Sequence, residues 1–418
     1  MEENHKTNRR EFLKTFSLLA GTSLIATQMP WLSTASAQDV DRPVRLGIIG
    51  VGSRASYHLI FLKQIPGLKI TSFCDIYDPN FKSAREKIGP EATGYKDYRE
   101  MLAKENLDAV LIATPLDRHA RMTIDALKAG LHVFCEKSMA LTIEDSNDMA
   151  RAALDTGKIL QIGHQRMFSL IYQQAFQKIR EGKLGDITQI RAYWHRNSDW
   201  RRPVPSPEYE RLINWRLYHD YSRGLMTELA SHQVQVGNQI LGMPPEMVWG
   251  SGGINYWNDG REVFDNVNLV YKYPNGTHMI YDSIASNRHY GLEEQIMGPK
   301  GTMELENNRM WDEFPPPAPG FLQLINNLEH KFFDAVPIGG ASWVPETAVN
   351  ADGRTISDEV MEDDGTRMSL EAFVANVRDN RVDLELTRQG LYATVAVLMG
   401  FNSIMENKIM YWPKNLVL

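Results

Sequence analysis

The sequence predicts an α/β protein in two parts: a doubly wound parallel sheet, then an α+β part with a large open, mostly antiparallel sheet. Three observations carry this. A mostly apolar strand at 44–49 runs straight into Gly-x-Gly-x-x-Ala and a helical pattern. Strand and helix patterns then alternate, with short connections, as far as about Gly163, which is how a parallel sheet is built. Beyond Arg166 the alternation stops. Short strands take over, separated by Pro274-Asn275-Gly276 and Gly298-Pro299-Lys300-Gly301, which are hairpin signals.

The N-terminus stands apart from both sheets. Asn8-Arg9-Arg10-Glu11-Phe12-Leu13-Lys14 precedes an apolar segment from Thr15 to Thr27, and Ala35-Ser36-Ala37 follows. Twin arginines, a short apolar stretch and an A-x-A site predict a twin-arginine export signal over 1–37. The expected partners therefore include the twin-arginine export machinery, and the expected location is periplasmic or otherwise exported. That route carries folded proteins, so a cofactor enclosed before export could travel with the chain.

The first sheet is expected over 42–163. Gly50 permits a tight turn after the strand, and Gly52 lets backbone approach a pyrophosphate. Ser53 and Arg54 open the helix, and Ala55 is small enough to let it lie against the strand. The helix N-terminus faces the phosphate charge. A second strand, Leu68–Cys74, ends at Asp75, 20 residues beyond Ala55, where a dinucleotide fingerprint needs a carboxylate for the ribose hydroxyls. That acid would repel a 2′-phosphate, which favours NAD over NADP. A helix from Tyr95 to Lys104 and a strand from Asp108 lead to Thr114-Pro115. His119 opens the next helix, to Ala129. The strand Leu131–Cys135 delivers Glu136-Lys137 to the carboxyl edge of the sheet, where ligands bind in such folds. A helix over Ile143–Thr156 and a strand over Ile159–Ile162 complete this Rossmann unit.

The second part is expected over 164–418. A helix Tyr172–Arg180 and a strand Ile187–His195 precede a loop rich in Trp and Arg. A helix from about Leu225 to Leu241 follows, then strands at Met247–Ile254, Val267–Tyr273, His278–Ser286, Leu292–Met297 and Thr302–Glu306. Residues 307–365 are rich in Pro, Gly and Asp and read as an irregular excursion containing a short helix, Leu322–Ala335. A closing helix is expected over 386–406.

Bulk properties narrow the partners. A length of 418 residues suits two to three domains, and a net charge of −7 argues against nucleic acid. No apolar run reaches the ~18 residues a membrane span needs after processing. The two cysteines, Cys74 and Cys135, end separate strands and form no Cys-x-x-Cys pair. No disulfide framework and no metal site is implied.

Taken together, Gly50-Val51-Gly52-Ser53-Arg54-Ala55, Asp75, Ala113-Thr114-Pro115 with His119, Cys135-Glu136-Lys137, and Gly224-x3-Glu228-x3-His232 resemble the Gfo/Idh/MocA family of sugar and polyol oxidoreductases. The resemblance covers nearly all of the chain after residue 37. Two positions depart from the family pattern: Ser138 stands where proline is usual after Lys137, and Glu228 where Asp is common. The resemblance implies hydride transfer between a sugar hydroxyl or carbonyl and a nicotinamide cofactor, expected to be tightly bound. His232 is then the base for the hydroxyl proton. Glu228, four residues earlier on one helix face, would orient it. Lys137 would stabilise the developing alkoxide. Thr114, Pro115, Glu136 and His119 would position the cofactor. In the aromatic and basic region, Arg166, Trp200, Trp215, Arg216 and Tyr221 are the candidates for gripping a sugar. Two other functions fit the same residues: an NAD-dependent glycoside hydrolase that oxidises a ring carbon transiently, and a nucleotide-bound sugar sensor without turnover. A homo-oligomer is left open.

Overall fold

The computed structural model describes residues 42–313, 353–358 and 364–418. The export signal expected at 1–37 and the helix expected at Leu322–Ala335 lie outside them. Among the described residues, no helix is long and apolar enough to cross a membrane.

The first sheet comprises β1 (Val44–Ile49), β2 (Leu68–Cys74), β3 (Thr93–Tyr95), β4 (Ala109–Ile112), β5 (His132–Cys135) and β6 (Leu160–Ile162). They pair in the order β3-β2-β1-β4-β5-β6, and all the pairings are parallel. Both faces are covered by helices, so strands such as Ala109–Ile112 and His132–Cys135 are buried along their whole length. Register fixes the site. Ile49 lies beside Cys74 and Ile112, Ile112 beside Cys135, and Cys135 beside Ile162. The residues that follow these strand ends therefore form one rim: Gly50, Asp75, Ala113, Glu136 and Gly163.

The second sheet contains β7 (Gln189–His195), β8 (Met247–Gly253), β9 (Asn266–Lys272), β10 (His278–Ile284), β11 (Leu292–Gly298), β12 (Gly301–Glu304), β13 (Arg309–Asp312), β14 (Arg354–Thr355) and β15 (Met410–Tyr411). Its order is β14-β13-β12-β11-β7-β10-β9-β8-β15. Every pairing is antiparallel except β7 with β10. The six strands expected here, Ile187–His195 among them, form within two residues of the expected ends. Of the excursion expected at 307–365, the described residues include β13 and β14, which extend the sheet. Helices Asp78–Ile88 and Thr366–Arg378 were also unassigned in the sequence.

Two C-terminal helices tie the parts together. Thr366–Arg378 contributes Leu370, Phe373 and Val374 to the same core as Leu46, Ile48 and Phe134 of the first sheet. Leu384–Glu406 packs against β6 on one side and β8 on the other. The core of the nucleotide-binding part is therefore completed by residues more than 200 positions downstream.

Candidate active site

The glycine turn is built as its sequence demands. Gly50 has φ 81°, and a Cβ there would lie 2.8 Å from the Ala113 carbonyl oxygen. Both conformation and space require glycine. Gly52 differs: an added Cβ would meet only the Asn80 side chain, at 3.6 Å. The protein itself does not need that position bare. Gly52, Ser53 and Arg54 line a cleft of about 1120 Å³ at the rim of the first sheet, and the free space suits a phosphate approaching backbone. Ala55 is fully buried under the turn.

Asp75 ends β2 and faces the same cleft. Its carboxylate accepts from Val51 N–H at 2.9 Å, Tyr77 N–H at 2.8 Å and Asn80 Nδ2 at 3.3 Å. It thus locks the glycine turn to the strand end and keeps part of its acceptor capacity for ribose.

Glu136 lines the same cleft. Its carboxylate is buried and accepts from Arg54 Nε at 2.7 Å, with His58 Nε2 at 2.7 Å on the same oxygen. Burial alone would raise its pKa, but Arg54 and His58 hold it well below the usual carboxylate range. Glu136 also fixes the Arg54 head at the cleft wall. His58 was missed, although its i, i+4 spacing from Arg54 places the two on one helix face.

Thr114 and Pro115 line the cleft. Thr114 Oγ1 is buried with no partner among the described residues. His119 is buried; its Nδ1 lies 2.9 Å from the Ser138 carbonyl and its Nε2 3.1 Å from that of Thr114. Burial lowers its pKa, and a neutral ring has one N–H to share between these carbonyls. His119 staples the end of β4 to the loop after Lys137.

Lys137 reaches across to the segment before helix Ser231–Leu241. Met226–Ala230 is a π-helical turn, and such turns recur at functional sites. Lys137 Nζ donates to the Glu228 carbonyl at 2.7 Å and the Thr227 carbonyl at 3.3 Å. Ser138 Oγ and Ser231 Oγ also donate to the Thr227 carbonyl. The Lys137–Ser138 peptide is cis. Burial lowers the Lys137 pKa, opposed by the charges of Glu228 and Glu136. Two of its three N–H groups are used, and one remains for a ligand.

The same turn breaks the expected Glu228–His232 pairing. A π-turn shifts the face on which i and i+4 meet. Glu228 accepts instead from Arg216 Nε at 2.7 Å and Ser222 Oγ at 3.3 Å. His232 is buried, and among the described residues neither ring nitrogen has a hydrogen-bond partner. Burial, with Lys137 and Arg166 nearby, lowers its pKa well below the ordinary histidine value. The imidazole is neutral at neutral pH. His164, missed in the sequence although it directly follows the β6 rim, lies edge-on to it at 6.4 Å between ring centroids. Burial and Lys137 push His164 down to about 3.

A second cavity, of about 510 Å³, meets the cleft along Arg202, Ile213, Arg216, Glu228 and His232. Trp200 and Arg216 line it, while Trp215 and Tyr221 line the adjoining cleft. Arg166 does not face either cavity. It is buried in an ion pair with Glu294 at 2.5 Å and Glu306 at 2.6 Å, and its sugar-gripping role is withdrawn. A guanidinium needs carboxylates when buried, and those acids come from β11 and the turn after β12, too distant in sequence to foresee.

The first part, residues 44–164, matches the model of an oxidoreductase family with an NAD-binding Rossmann fold. Residues 172–304 match the GFO/IDH/MocA C-terminal domain. The chain belongs to the Gfo/Idh/MocA family. Among relatives, the myo-inositol 2-dehydrogenase of Thermotoga maritima is 26% identical over 271 residues, covering 64% of this chain and 76% of that one. A glycosyl hydrolase family 109 protein of Shewanella pealeana is 27% identical over 237 residues, 51% of each chain. The WlbA dehydrogenase of Bordetella pertussis, solved with NADH and UDP-GlcNAcA, superposes with a TM-score of 0.64 at 21% identity. That match spans 90% of this chain and 100% of the other, and it shows a shared fold.

The glycine turn, the bare face of Gly52 and the Asp75 carboxylate fit NAD. When bound, its nicotinamide supplies the chemistry of hydride acceptance and return. His232 offers a neutral nitrogen for a hydroxyl proton, and Lys137 Nζ offers one N–H to an oxygen gaining charge.

Proposed function

We propose that this member of the Gfo/Idh/MocA family oxidises a sugar or sugar-derivative hydroxyl, and reduces the matching carbonyl, with an NAD that it retains. One observation carries this: a neutral, unpartnered His232 stands on the wall shared by the nucleotide cleft and the smaller polar cavity. A base there reaches a ligand from either side. The named activity of the Thermotoga maritima relative supports the reading. The twin-arginine pattern at 8–37 supports export with the cofactor already enclosed, because an exported protein meets no dinucleotide pool. The retained cofactor is then restored in place, by a second sugar that takes the hydride.

A second reading has its own support in the Shewanella pealeana relative. Oxidation of a ring carbon acidifies the neighbouring C–H, loss of that proton expels the glycosidic leaving group, water adds to the resulting enone, and the hydride is returned with no net redox change. His232 would then serve as base and afterwards as acid.

Protein purified from its natural compartment, without added cofactor, should carry near-stoichiometric NAD(H). Given sugar pairs it should exchange hydride between them, and given aryl glycosides alone it should release no aryl alcohol. His232→Ala should cut kcat by about 10²–10⁴-fold while NAD stays bound. Near-normal kcat in that variant would make the histidine structural. Aryl alcohol release would favour the hydrolase, and protein arriving without NAD would refute retention.

A further inference from the structure

We propose that the substrate carries an anionic group, a carboxylate or a phosphate ester, held by Arg196 and Arg202 in the smaller cavity. This rests on the sugar-oxidation reading above and narrows its substrate class.

Four arginines line that cavity: Arg196, Arg201, Arg202 and Arg216. Two are committed. Arg201 pairs with Asp259 at 3.2 Å and with Glu210, and Arg216 pairs with Glu228 at 2.7 Å. Arg196 and Arg202 have no ion-pair partner among the described residues. Of the two acids on the wall, Glu228 belongs to Arg216. Asp199 accepts the Arg201 N–H at 3.1 Å. The uncommitted charges are therefore two guanidiniums against one carboxylate. Neutral hydroxyls would leave that excess in place, while an anion would balance it with charge-assisted hydrogen bonds.

The backbone of both arginines is fixed, that of Arg196 by its N–H to the Ile284 carbonyl at 2.8 Å. The Arg196 guanidinium lies 6.0 Å from the Trp194 ring centre, and the same indole lies 5.7 Å from the His232 ring. One indole separates the charge from the base. Arg196 is exposed to solvent, yet burial lowers its pKa with no opposing charge. A concave wall satisfies both, because solvent touches the side chain while protein surrounds it. Arg202 is also exposed, but its backbone is clamped by a buried amide. Its N–H donates to Asn214 Oδ1 at 2.7 Å, and its carbonyl accepts from Asn214 Nδ2 at 3.0 Å. Asn214 is 2% exposed.

The preceding residues are pinned as well. Trp200 has φ 62° and donates its N–H to Ser198 Oγ at 3.3 Å. A tryptophan in that region is strained, and such strain collects at ligand sites. The nucleotide phosphates do not account for Arg196. It lines only the smaller cavity, whose wall includes none of the glycine-turn residues.

The test compares glucuronate, glucose 6-phosphate and glucose in two ways: hydride transfer by the holoenzyme, and binding followed by tryptophan fluorescence. One charged sugar should be preferred over glucose by about 10-fold or more, and which one it is distinguishes carboxylate from phosphate. Arg196→Ala and Arg202→Ala should each reduce that preference by about 3- to 10-fold. Arg202→Lys should keep part of it, since the charge remains without the fork. NAD content confirms that each variant folds. Equal binding of all three sugars, or variants that keep the wild-type preference, would overturn the proposal. Selective binding of a charged sugar without hydride transfer would support the anion site and count against the oxidation reading instead.

Discussion

Glu228 is ionised at the heart of the site because of Arg216. Burial raises its pKa, but the guanidinium and the Lys137 ammonium outweigh burial and hold it below the ordinary range. Removing Arg216 would leave a buried carboxylate with Ser222 and Lys137 for company, whereas removing His232 would leave it unaffected. A double-mutant cycle separates the two. Coupling between Glu228→Gln and Arg216→Ala should be about 1–3 kcal/mol in unfolding free energy, and that between Glu228→Gln and His232→Ala below about 0.5 kcal/mol. The reverse order would restore the histidine as Glu228's partner. Residues whose roles follow from backbone position are legible in the sequence: Gly50, Asp75 and Lys137 each sit where a strand ends. Partners are less so. The i, i+4 spacing of Glu228 and His232 implies a shared face only in an α-helix, and no residue type marks the π-turn that Lys137 and Ser138 stabilise from outside. Arg166 was misread for a related reason: its acids arrive from β11 and the turn after β12, more than a hundred residues on.

At the scale of elements, helix Leu384–Glu406 is the wedge between the sheets, and its glycines are its contact points. A Cβ on Gly390 would lie 2.6 Å from Ile162 Cβ, at the end of β6. One on Gly400 would lie 2.7 Å from Leu269 Cδ2 and the Tyr271 hydroxyl in the second sheet. In an exposed helix, Gly→Ala gains about 1 kcal/mol from propensity. Here overlap with a β-branched side chain should win, since overpacking costs about 1–3 kcal/mol. Gly390→Ala is expected to lower Tm; a raised Tm would mean that the helix stands off from β6. The helix itself is visible in its apolar stripe, and the strand–helix alternation makes the first sheet equally visible. What sequence periodicity does not reveal is which sheet a late helix rejoins. Nothing in Thr366–Arg378 says that its Phe373 will pack on Phe134, at 5.6 Å between ring centres. The two short strands within 307–365 lack the length that makes a pattern.

For the whole molecule, buried histidines set the response to acid. Burial holds His58, His119, His132, His164, His219 and His232 below the ordinary value, with His132 at about 4 and His164 at about 3. In the unfolded chain each takes up its proton near pH ~6.5. Between those limits the unfolded state binds more protons, so stability falls as pH falls. It is intact above about pH 6.5 and drains away towards pH 4 and below. For His132 alone the loss is on the order of 3 kcal/mol. Among the described residues four carboxyls run the other way: burial also raises Asp117, Glu294 and Asp383, and Glu293 is taken up to about 8, which would add stability on acidification. The Glu293 carboxylate accepts the N–H groups of Glu294, Glu306 and Asn307 at 2.8, 2.9 and 3.1 Å, and these favour the charged form. Glu293 therefore offsets one histidine at most. Tm followed by calorimetry should drop by roughly 10 °C or more between pH 7 and 4.5. His132→Asn keeps an acceptor for the Ile159 N–H that Nδ1 takes at 3.1 Å, but it cannot titrate. That variant should show a shallower decline, with about one proton fewer taken up on unfolding near pH 5. A wild-type Tm that stays level down to pH 4.5 would mean that these rings are hydrated or already charged in the fold, and a His132→Asn slope equal to wild type would remove His132 from the set.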